Sequence, residues 1–185
     1  MSPPNQRRLG GASGLREYTA PLSYCVEEHE SIVDSLYRQS SYAPDRVLFE
    51  RPIHSEWVPV TARQFASEVR SLACGWINLG IQPGDRIALL SQTRYEWMLF
   101  AYSIWSCGAV VVPIYPSSSA EQIHHILKDS GARYVVVENQ QNLGTVLERD
   151  TPATVQDIYV IEKSAVEQVT AAGRGEAVSY THLRA

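Results

Sequence analysis

The chain has 185 residues, of which 44% are apolar, and a formal net charge of −4. This composition is typical of a globular domain and excludes a disordered or fibrous chain. The negative charge, with no cluster of Lys and Arg, excludes nucleic acid as an expected partner. Three widely spaced cysteines, Cys25, Cys74 and Cys107, favour reduced thiols in a cytoplasmic protein over a zinc site or a disulfide framework.

The first twenty residues have the composition of a flexible tail. Met1–Gly14 is rich in Pro, Gly and Ser, and no apolar stretch follows Arg7 and Arg8 as a secretory signal would require. Gly10, Gly11 and Gly14 faintly resemble a phosphate-binding loop. They follow no strand and no Lys-Ser/Thr pair ends the motif, so we do not assign them that role.

Two helices flanking a small hairpin are predicted next. The apolar periodicity of Ser31–Gln39 predicts a short amphipathic helix, and Val47–Arg51 with Trp57–Val60 predict a small antiparallel pair. Thr61–Gln64 is a capping box that begins a longer helix, and Gly80 provides a left-handed stop. The predicted inner face of that helix consists of Phe65, Val69, Leu72, Ala73, Trp76 and Ile77. A type II turn at Gln82–Asp85 then leads into a strand.

A β-α-β-α-β pattern follows and sets the expected fold class. The predicted strands are Arg86–Ser91, Ala109–Ile114 and Tyr134–Val137, and the predicted helices are Tyr95–Cys107 and Ala120–Ser130. Apolar strands joined by connections of helical length predict a buried, mostly parallel sheet. We therefore expect an α/β fold, a partial doubly wound sheet with a small antiparallel piece. The signal is weaker beyond it, with a helix at Leu143–Arg149, a strand at Asp157–Ile161 and a polar excursion at Glu162–Glu176.

The helix at Tyr95–Cys107 is apolar around most of its circumference. Thr93–Glu96 has the pattern of a second capping box, and we expect burial on several sides, with bare apolar surface if core neighbours are missing. Trp97–Tyr115 contains nineteen residues without a charge, which is long enough to cross a bilayer. Gly108 and Pro113 divide this stretch, so we favour a buried helix followed by a buried strand.

Two loops are the candidate binding regions, because ligands of doubly wound sheets lie beyond the carboxyl ends of the strands. These loops are Ser91–Arg94 and Tyr115–Ser119, and both precede helix N-termini whose free N–H groups can hold an anion. Capping alone explains Thr93 and the serines, and we favour that role for them. Arg94 could pair with a phosphate or with a nearby carboxylate, and the sequence leaves both open.

No complete catalytic constellation is present. His124 and His125 are adjacent on a predicted helix, so their side chains diverge by about 100° and we expect an exposed pair rather than a metal site. The sequence has no Gly-x-Ser-x-Gly, His-Glu-x-x-His or Cys-x-x-Cys motif. We assign no catalytic and no metal-binding residue, and the cofactor-binding residues stay unknown.

An ordered set of motifs resembles the opening of a bacterial long-chain fatty acid–CoA ligase of the AMP-binding, or adenylate-forming, family. The matching segments are Thr61–Phe65, Gly80–Ala88, Thr93–Trp97, Gly108–Tyr115, Ser117–Gln122 and Leu127–Gly131. The resemblance implies formation of an acyl-adenylate from a fatty acid and Mg-ATP, followed by transfer of the acyl group to CoA. It also implies that ATP, Mg²⁺ and CoA are bound by residues downstream of this chain, whose 21–177 region is then the N-terminal part of the large domain.

The sequence leaves four questions open. The acid could be an aryl acid or an amino acid, and the same alternation permits a non-catalytic, flavodoxin-like binding module. Peripheral membrane contact is compatible with long-chain substrates. Residues 178–185, Val-Ser-Tyr-Thr-His-Leu-Arg-Ala, resemble the translation of a sequencing-library adapter and are interpreted as non-native, although a natural strand at Val178–Leu183 is also allowed by propensity.

Overall fold

The computed structural model describes residues 25–162 and the backbone of residues 177–179. The flexible tail and Gly10, Gly11 and Gly14 lie outside the described residues. The chain divides into two compact units, Met1–Glu30 and Ser31–Ala185. In the first, the described residues form a turn in which Glu30 N–H donates to the Glu27 carbonyl over 2.9 Å. The elements below belong to the second unit.

Five helices and seven strands make up the described fold of the second unit. The helices are α1 (Ile32–Tyr42), α2 (Ala62–Asn78), α3 (Tyr95–Ser106), α4 (Ala120–Ser130) and α5 (Gln140–Leu147). The strands are β1 (Val47–Ile53), β2 (Glu56–Thr61), β3 (Arg86–Leu90), β4 (Val110–Ile114), β5 (Tyr134–Val137), β6 (Asp157–Val160) and β7 (Ala177–Ser179). β1 and β2 pair antiparallel, whereas the second sheet has the order β4-β3-β5-β6-β7 with every pair parallel. The predicted α/β class with a small antiparallel piece is confirmed.

The parallel sheet is covered on both faces, which explains its continuous apolar strands. Ile87 and Leu89 of β3 contact one core cluster, together with α2 and α3. Ala88 and Leu90 contact the other, together with α4 and α5. Alternate residues of one strand point to opposite faces, so a strand buried on both sides must be apolar throughout.

The core on the α2 and α3 side contains a buried polar contact. The Trp76 indole N–H donates to Ser103 Oγ over 3.1 Å, and both residues are fully buried. The Trp76 ring also lies against the rings of Phe100, Tyr134 and Tyr159. A buried indole needs such an acceptor, because an unpaired N–H in a core is costly.

Local signals for helix ends and turns are mostly confirmed. The capping box of α2 is present, with Gln64 N–H bonded to Thr61 Oγ1 and Thr61 N–H to the Gln64 side chain. Gly80 follows the helix with φ of 81°, and Gly84 has φ of 85° in the turn before β3. Both angles are in the region that glycine adopts without strain, as the sequence predicted.

Two predictions about α2 and α3 are wrong. Ile77, assigned to the inner face of α2, is exposed although Trp76 beside it is fully buried, because successive helical residues point about 100° apart. The Thr93–Glu96 capping box does not form: Arg94 is the N-cap residue of α3, with no side-chain cap. The Glu96 carboxylate instead accepts a 2.6 Å hydrogen bond from Arg94 Nε.

The apolar stretch Trp97–Tyr115 differs from expectation in its burial. It divides near Gly108 into α3 and β4, as predicted, but β4 is an edge strand whose Val110 and Pro113 are exposed. The expected bare face on α3 is not found, since every residue of Tyr95–Ser106 is buried or partly buried against α1, α2 and β1. In the described part of the chain, no helix is both long and apolar enough to cross a membrane.

A polar network lies at the amino-terminal end of the sheet. The Asp85 carboxylate accepts hydrogen bonds from the Gln82 backbone N–H over 2.8 Å and from Arg133 Nη1. Burial alone would raise the pKa of Asp85, but the Gln82 hydrogen bond and the Arg133 charge lower this pKa below its usual 3.8. Tyr159 lies in the core on the α2 and α3 side, where burial raises its pKa to about 12 and the charge of Asp157 adds to the effect.

Candidate functional site

The candidate site is the crevice at the carboxyl end of the sheet where the strand order reverses. The chain runs from β3 to β4 on one side of β3, then crosses to β5 on the other side. The loops after β3 and β5 therefore diverge, and doubly wound folds bind ligands between such loops. Ser91–Arg94, one of the two predicted loops, lies here and contacts Glu138 at the end of β5.

The carboxylate of Glu138 lies in this crevice. Its Oε2 accepts hydrogen bonds from Gln92 N–H at 2.7 Å and from Ser91 Oγ at 3.1 Å. Its Oε1 lies 3.2 Å from Arg94 Nη1, and only 12% of its side chain is exposed. The backbone N–H of Gln92, which could have held a ligand anion just before α3, is thus already bonded to an internal anion.

Arg94 contacts carboxylates in the described structure, which is one of the two pairings that the sequence left open. Besides Glu138, its guanidinium contacts Glu96 at 2.6 Å and Glu162 at 3.3 Å. Burial alone would lower the pKa of Arg94, but these three carboxylates raise it above its ordinary value. The guanidinium therefore stays charged, with its described contacts directed at protein carboxylates.

The charge balance of this cluster does not suit a phosphate. Glu96, Glu138 and Glu162 place three negative charges around the single positive charge of Arg94. An ATP phosphate approaching here would meet like charges at close range in a partly desolvated site, which is unfavourable. The residues in this crevice do not fit the phosphates of Mg-ATP.

The second predicted loop, Tyr115–Ser119, has a structural role in the described contacts. Ser119 Oγ accepts the Gln122 N–H at 3.3 Å, and the Gln122 side chain accepts the Ser119 N–H at 2.9 Å. This reciprocal pair is a capping box for α4. Tyr115, at the start of the loop, is exposed.

The two histidines of α4 have different environments. His125 is exposed as predicted, but His124 is partly buried and its Nδ1 lies 3.0 Å from the Asp150 carbonyl oxygen. The prediction of an exposed pair is therefore wrong for His124, because the chain after α5 returns alongside it. Among residues 25–162, no group of three or more His, Cys, Asp or Glu side chains is arranged to hold a metal ion.

Sequence reasoning did not identify Glu138 and Glu162 as members of the cluster. A local signal was available, because Glu138 directly follows the valine run of β5 and Glu162 lies just past β6. In a parallel sheet these positions lie at the carboxyl ends of the strands, on the same side of the sheet as Ser91–Arg94. The missing information was the strand order, which makes β3, β5 and β6 consecutive neighbours.

Comparison with known proteins identifies the family. The sequence model of the AMP-binding enzyme family matches residues 36–181, and the chain belongs to this family. The long-chain-fatty-acid–CoA ligase FadD15 of Mycobacterium bovis is 35% identical over 163 residues, which cover 86% of this chain and 27% of the relative. The chain thus spans about a quarter of the length of this relative.

Solved structures of the family share the fold. A Mycobacterium tuberculosis fatty acyl CoA synthetase superposes with a TM-score of 0.62 at 26% identity, covering 74% of this chain and 27% of that protein. The N-terminal domain of FACL13 from the same organism superposes with a TM-score of 0.64 at 27% identity, covering 80% of this chain and 38% of that domain. The predicted resemblance to adenylate-forming enzymes is confirmed.

Proposed function

We propose that this chain is the N-terminal portion of an AMP-forming long-chain fatty acid–CoA ligase. In the longer protein, a fatty acid and ATP would form an acyl-adenylate and pyrophosphate, and CoA would then displace AMP to give the acyl-CoA. The observation that carries the proposal is the 35% identity to FadD15 over 86% of the chain. The motif order noted above supports it, from the Thr61 capping box to Gly131.

We further propose that residues 1–185 catalyse neither step alone. Activating a carboxylate with ATP requires groups that neutralise phosphate charge and hold the reacting atoms in line. The crevice between β3 and β5 supports the proposal of inactivity, because its carboxylates are bonded to Arg94, Ser91 and Gln92. ATP, Mg²⁺ and CoA would then be bound by residues downstream, and we assign no catalytic residue to this chain.

The role proposed for the described part is to support the rest of the large domain. The sheet supplies a platform that is buried on both faces. The ion pair between Arg94 and Glu138 joins the loop after β3 to the end of β5. Glu162, which also contacts Arg94, is the last residue described before the chain continues toward β7. This platform would work in the cytoplasm, with peripheral membrane contact when the acid is a long-chain one.

The proposal is tested by trapping the acyl-adenylate. Purified residues 1–185 are incubated with palmitic acid, Mg-ATP and hydroxylamine, and the protein encoded by the uninterrupted reading frame is assayed in parallel. We expect acyl-hydroxamate from the longer protein alone. Turnover by the 185-residue chain would refute its inactivity, and a longer protein that activates only aryl or amino acids would refute the fatty acid substrate.

We also infer that residues 178–185 are not native. The resemblance to an adapter supports this inference, whereas the family match to residue 181 and strand β7 overlap the first of these residues and favour a natural strand. Sequencing the source DNA across the Ala177 codon from an adapter-free amplicon distinguishes an adapter-derived tail from a natural strand. We expect the reading frame to continue differently after Ala177, into a Gly/Ser/Thr-rich loop with a terminal lysine. A stop codon after Ala185 would favour the small binding module.

A further inference from the structure

Two cysteines on neighbouring helices lie close together, away from the crevice. Cys74 is in the last turns of α2, and Cys107 is the C-cap residue of α3. The Cys107 thiol contacts the Ala73 carbonyl oxygen, with Sγ and O separated by 3.4 Å. In a trans peptide this oxygen is about 2.8 Å from the next Cα, so Cys107 Sγ lies within about 6 Å of Cys74 Cα.

The two thiols differ in accessibility. Cys74 is exposed and Cys107 is partly buried, and both are free. Burial raises the pKa of Cys107 to about 11, and the neighbouring Cys74 thiol contributes in the same direction. This influence of Cys74 on Cys107 agrees with the position of Cys107 Sγ beside Ala73, the residue that precedes Cys74. An oxidant from solvent would therefore reach Cys74 first, with Cys107 beside it.

We propose that Cys74 and Cys107 are a modification site at which hydrogen peroxide forms a reversible disulfide between α2 and α3. A disulfide requires Cα atoms within about 7 Å and sulfur atoms at bonding distance after side-chain rotation. The position of Cys107 Sγ beside the backbone of α2 is compatible with this requirement. Because Cys74 is exposed, its side chain can rotate without displacing core residues.

Hydrogen peroxide is the only oxidant that the formation of this disulfide requires. The Cys74 thiolate attacks one peroxide oxygen, the O–O bond breaks, and a sulfenic acid and hydroxide form. The Cys107 sulfur then attacks the sulfenic sulfur, the S–O bond breaks, and the leaving hydroxide takes the Cys107 proton to become water. The two sulfurs together lose two electrons, which reduce the peroxide. A dithiol reductant reverses the bond by exchange.

The test uses the 185-residue chain with Cys25→Ser, which removes the remaining thiol. The three cysteines lie in different tryptic peptides, so a disulfide is identified unambiguously. After peroxide treatment and alkylation, we expect the peptides Ser71–Arg86 and Tyr95–Lys128 to be joined, and dithiothreitol to separate them. An unchanged far-UV circular dichroism spectrum after oxidation shows that the linkage forms in the folded chain.

Two matched variants make the result decisive. In Cys25→Ser/Cys107→Ser, Cys74 should accumulate as a sulfenic acid that dimedone labels, with no linked peptide. In Cys25→Ser/Cys74→Ser, which changes an exposed position, oxidation of Cys107 should be about tenfold slower. The proposal is overturned if Cys107 remains a thiol while Cys74 advances to the sulfinic acid. Disulfides that form only between two chains, seen as a covalent dimer, would also overturn it.

Discussion

Replacing Glu138 by glutamine tests whether the crevice is held together by this carboxylate. Glu138→Gln keeps the size of the side chain but removes the charge that faces Ser91, Gln92 and Arg94. Glu162→Gln is the matched control, because it removes a carboxylate from the same arginine at a position where 42% of the side chain is exposed. The two variants make the same chemical change and differ in the number of contacts and in burial.

The expected magnitudes follow from those contacts. A hydrogen bond to a charged group contributes about 1.5–3 kcal/mol and a neutral one about 1 kcal/mol, so weakening the Ser91 and Gln92 bonds costs about 2 kcal/mol. The lost ion pair adds little, because Arg94 is 30% exposed and keeps two other carboxylates. Glu162→Gln should cost about 0.5 kcal/mol. For a chain of this length these values correspond to about 4–8 °C and about 1–2 °C in Tm.

Urea unfolding followed by tryptophan fluorescence measures both variants against the unchanged chain. We expect a lower midpoint for Glu138→Gln with an unaltered m-value, which indicates a loss of stability without a change in compactness. Equal losses for the two variants, or a larger loss for Glu162→Gln, would refute our account of the crevice. In that case the carboxylate of Glu138 would be dispensable, and the anion-binding interpretation of Ser91–Arg94 would have to be reconsidered.

Substitutions at Ser103, Asp85 and Tyr159 give three further predictions about stability. Ser103→Ala should cost about 1–3 kcal/mol in urea unfolding, because the buried Trp76 N–H loses its acceptor, and an unchanged midpoint would contradict that. The pKa of Asp85 is lowered in the folded state, so its contribution is present above the ordinary pKa and is lost as pH falls through the folded value. Asp85→Asn should therefore flatten the loss of Tm below about pH 4. The pKa of Tyr159 is raised to about 12, so stability is retained below about pH 10 and lost as pH rises toward 12. Tyr159→Phe should reduce this alkaline loss, and a Tm titration that is identical in the two proteins would contradict the assignment.

Much of the fold could be predicted from local patterns. The Thr61 and Ser119 capping boxes and the glycines at positions 80 and 84 depend on residues at most a few positions apart, and each formed as expected. The β-α-β-α-β order could be inferred from apolar periodicity, because parallel strands need helical connections. The partial exposure of β4 could not be predicted, because Ala109–Ile114 is apolar enough for a central strand. Only the strand order places it at the edge of the sheet.

The crevice shows most clearly what a local pattern omits. Thr93–Glu96 has the sequence of a capping box, yet Glu96 bonds to the Arg94 side chain instead of capping the helix. The other partners of Arg94, Glu138 and Glu162, are 44 and 68 residues away in sequence. No rule based on neighbouring residues could select them.

The sequence by itself therefore determined the family, the α/β class and the order of the elements, since these depend on short-range periodicity, turn chemistry and ordered motifs. The tertiary structure decided which charges meet. Packing β3, β5 and β6 side by side brings their carboxyl ends together, and this juxtaposition adds Glu138 and Glu162 to Glu96 as partners of Arg94. The same packing of α2 against α3 brings Cys107 beside Ala73 and hence near Cys74. Electrostatic and thiol chemistry depend on distance in space, which the linear sequence does not contain.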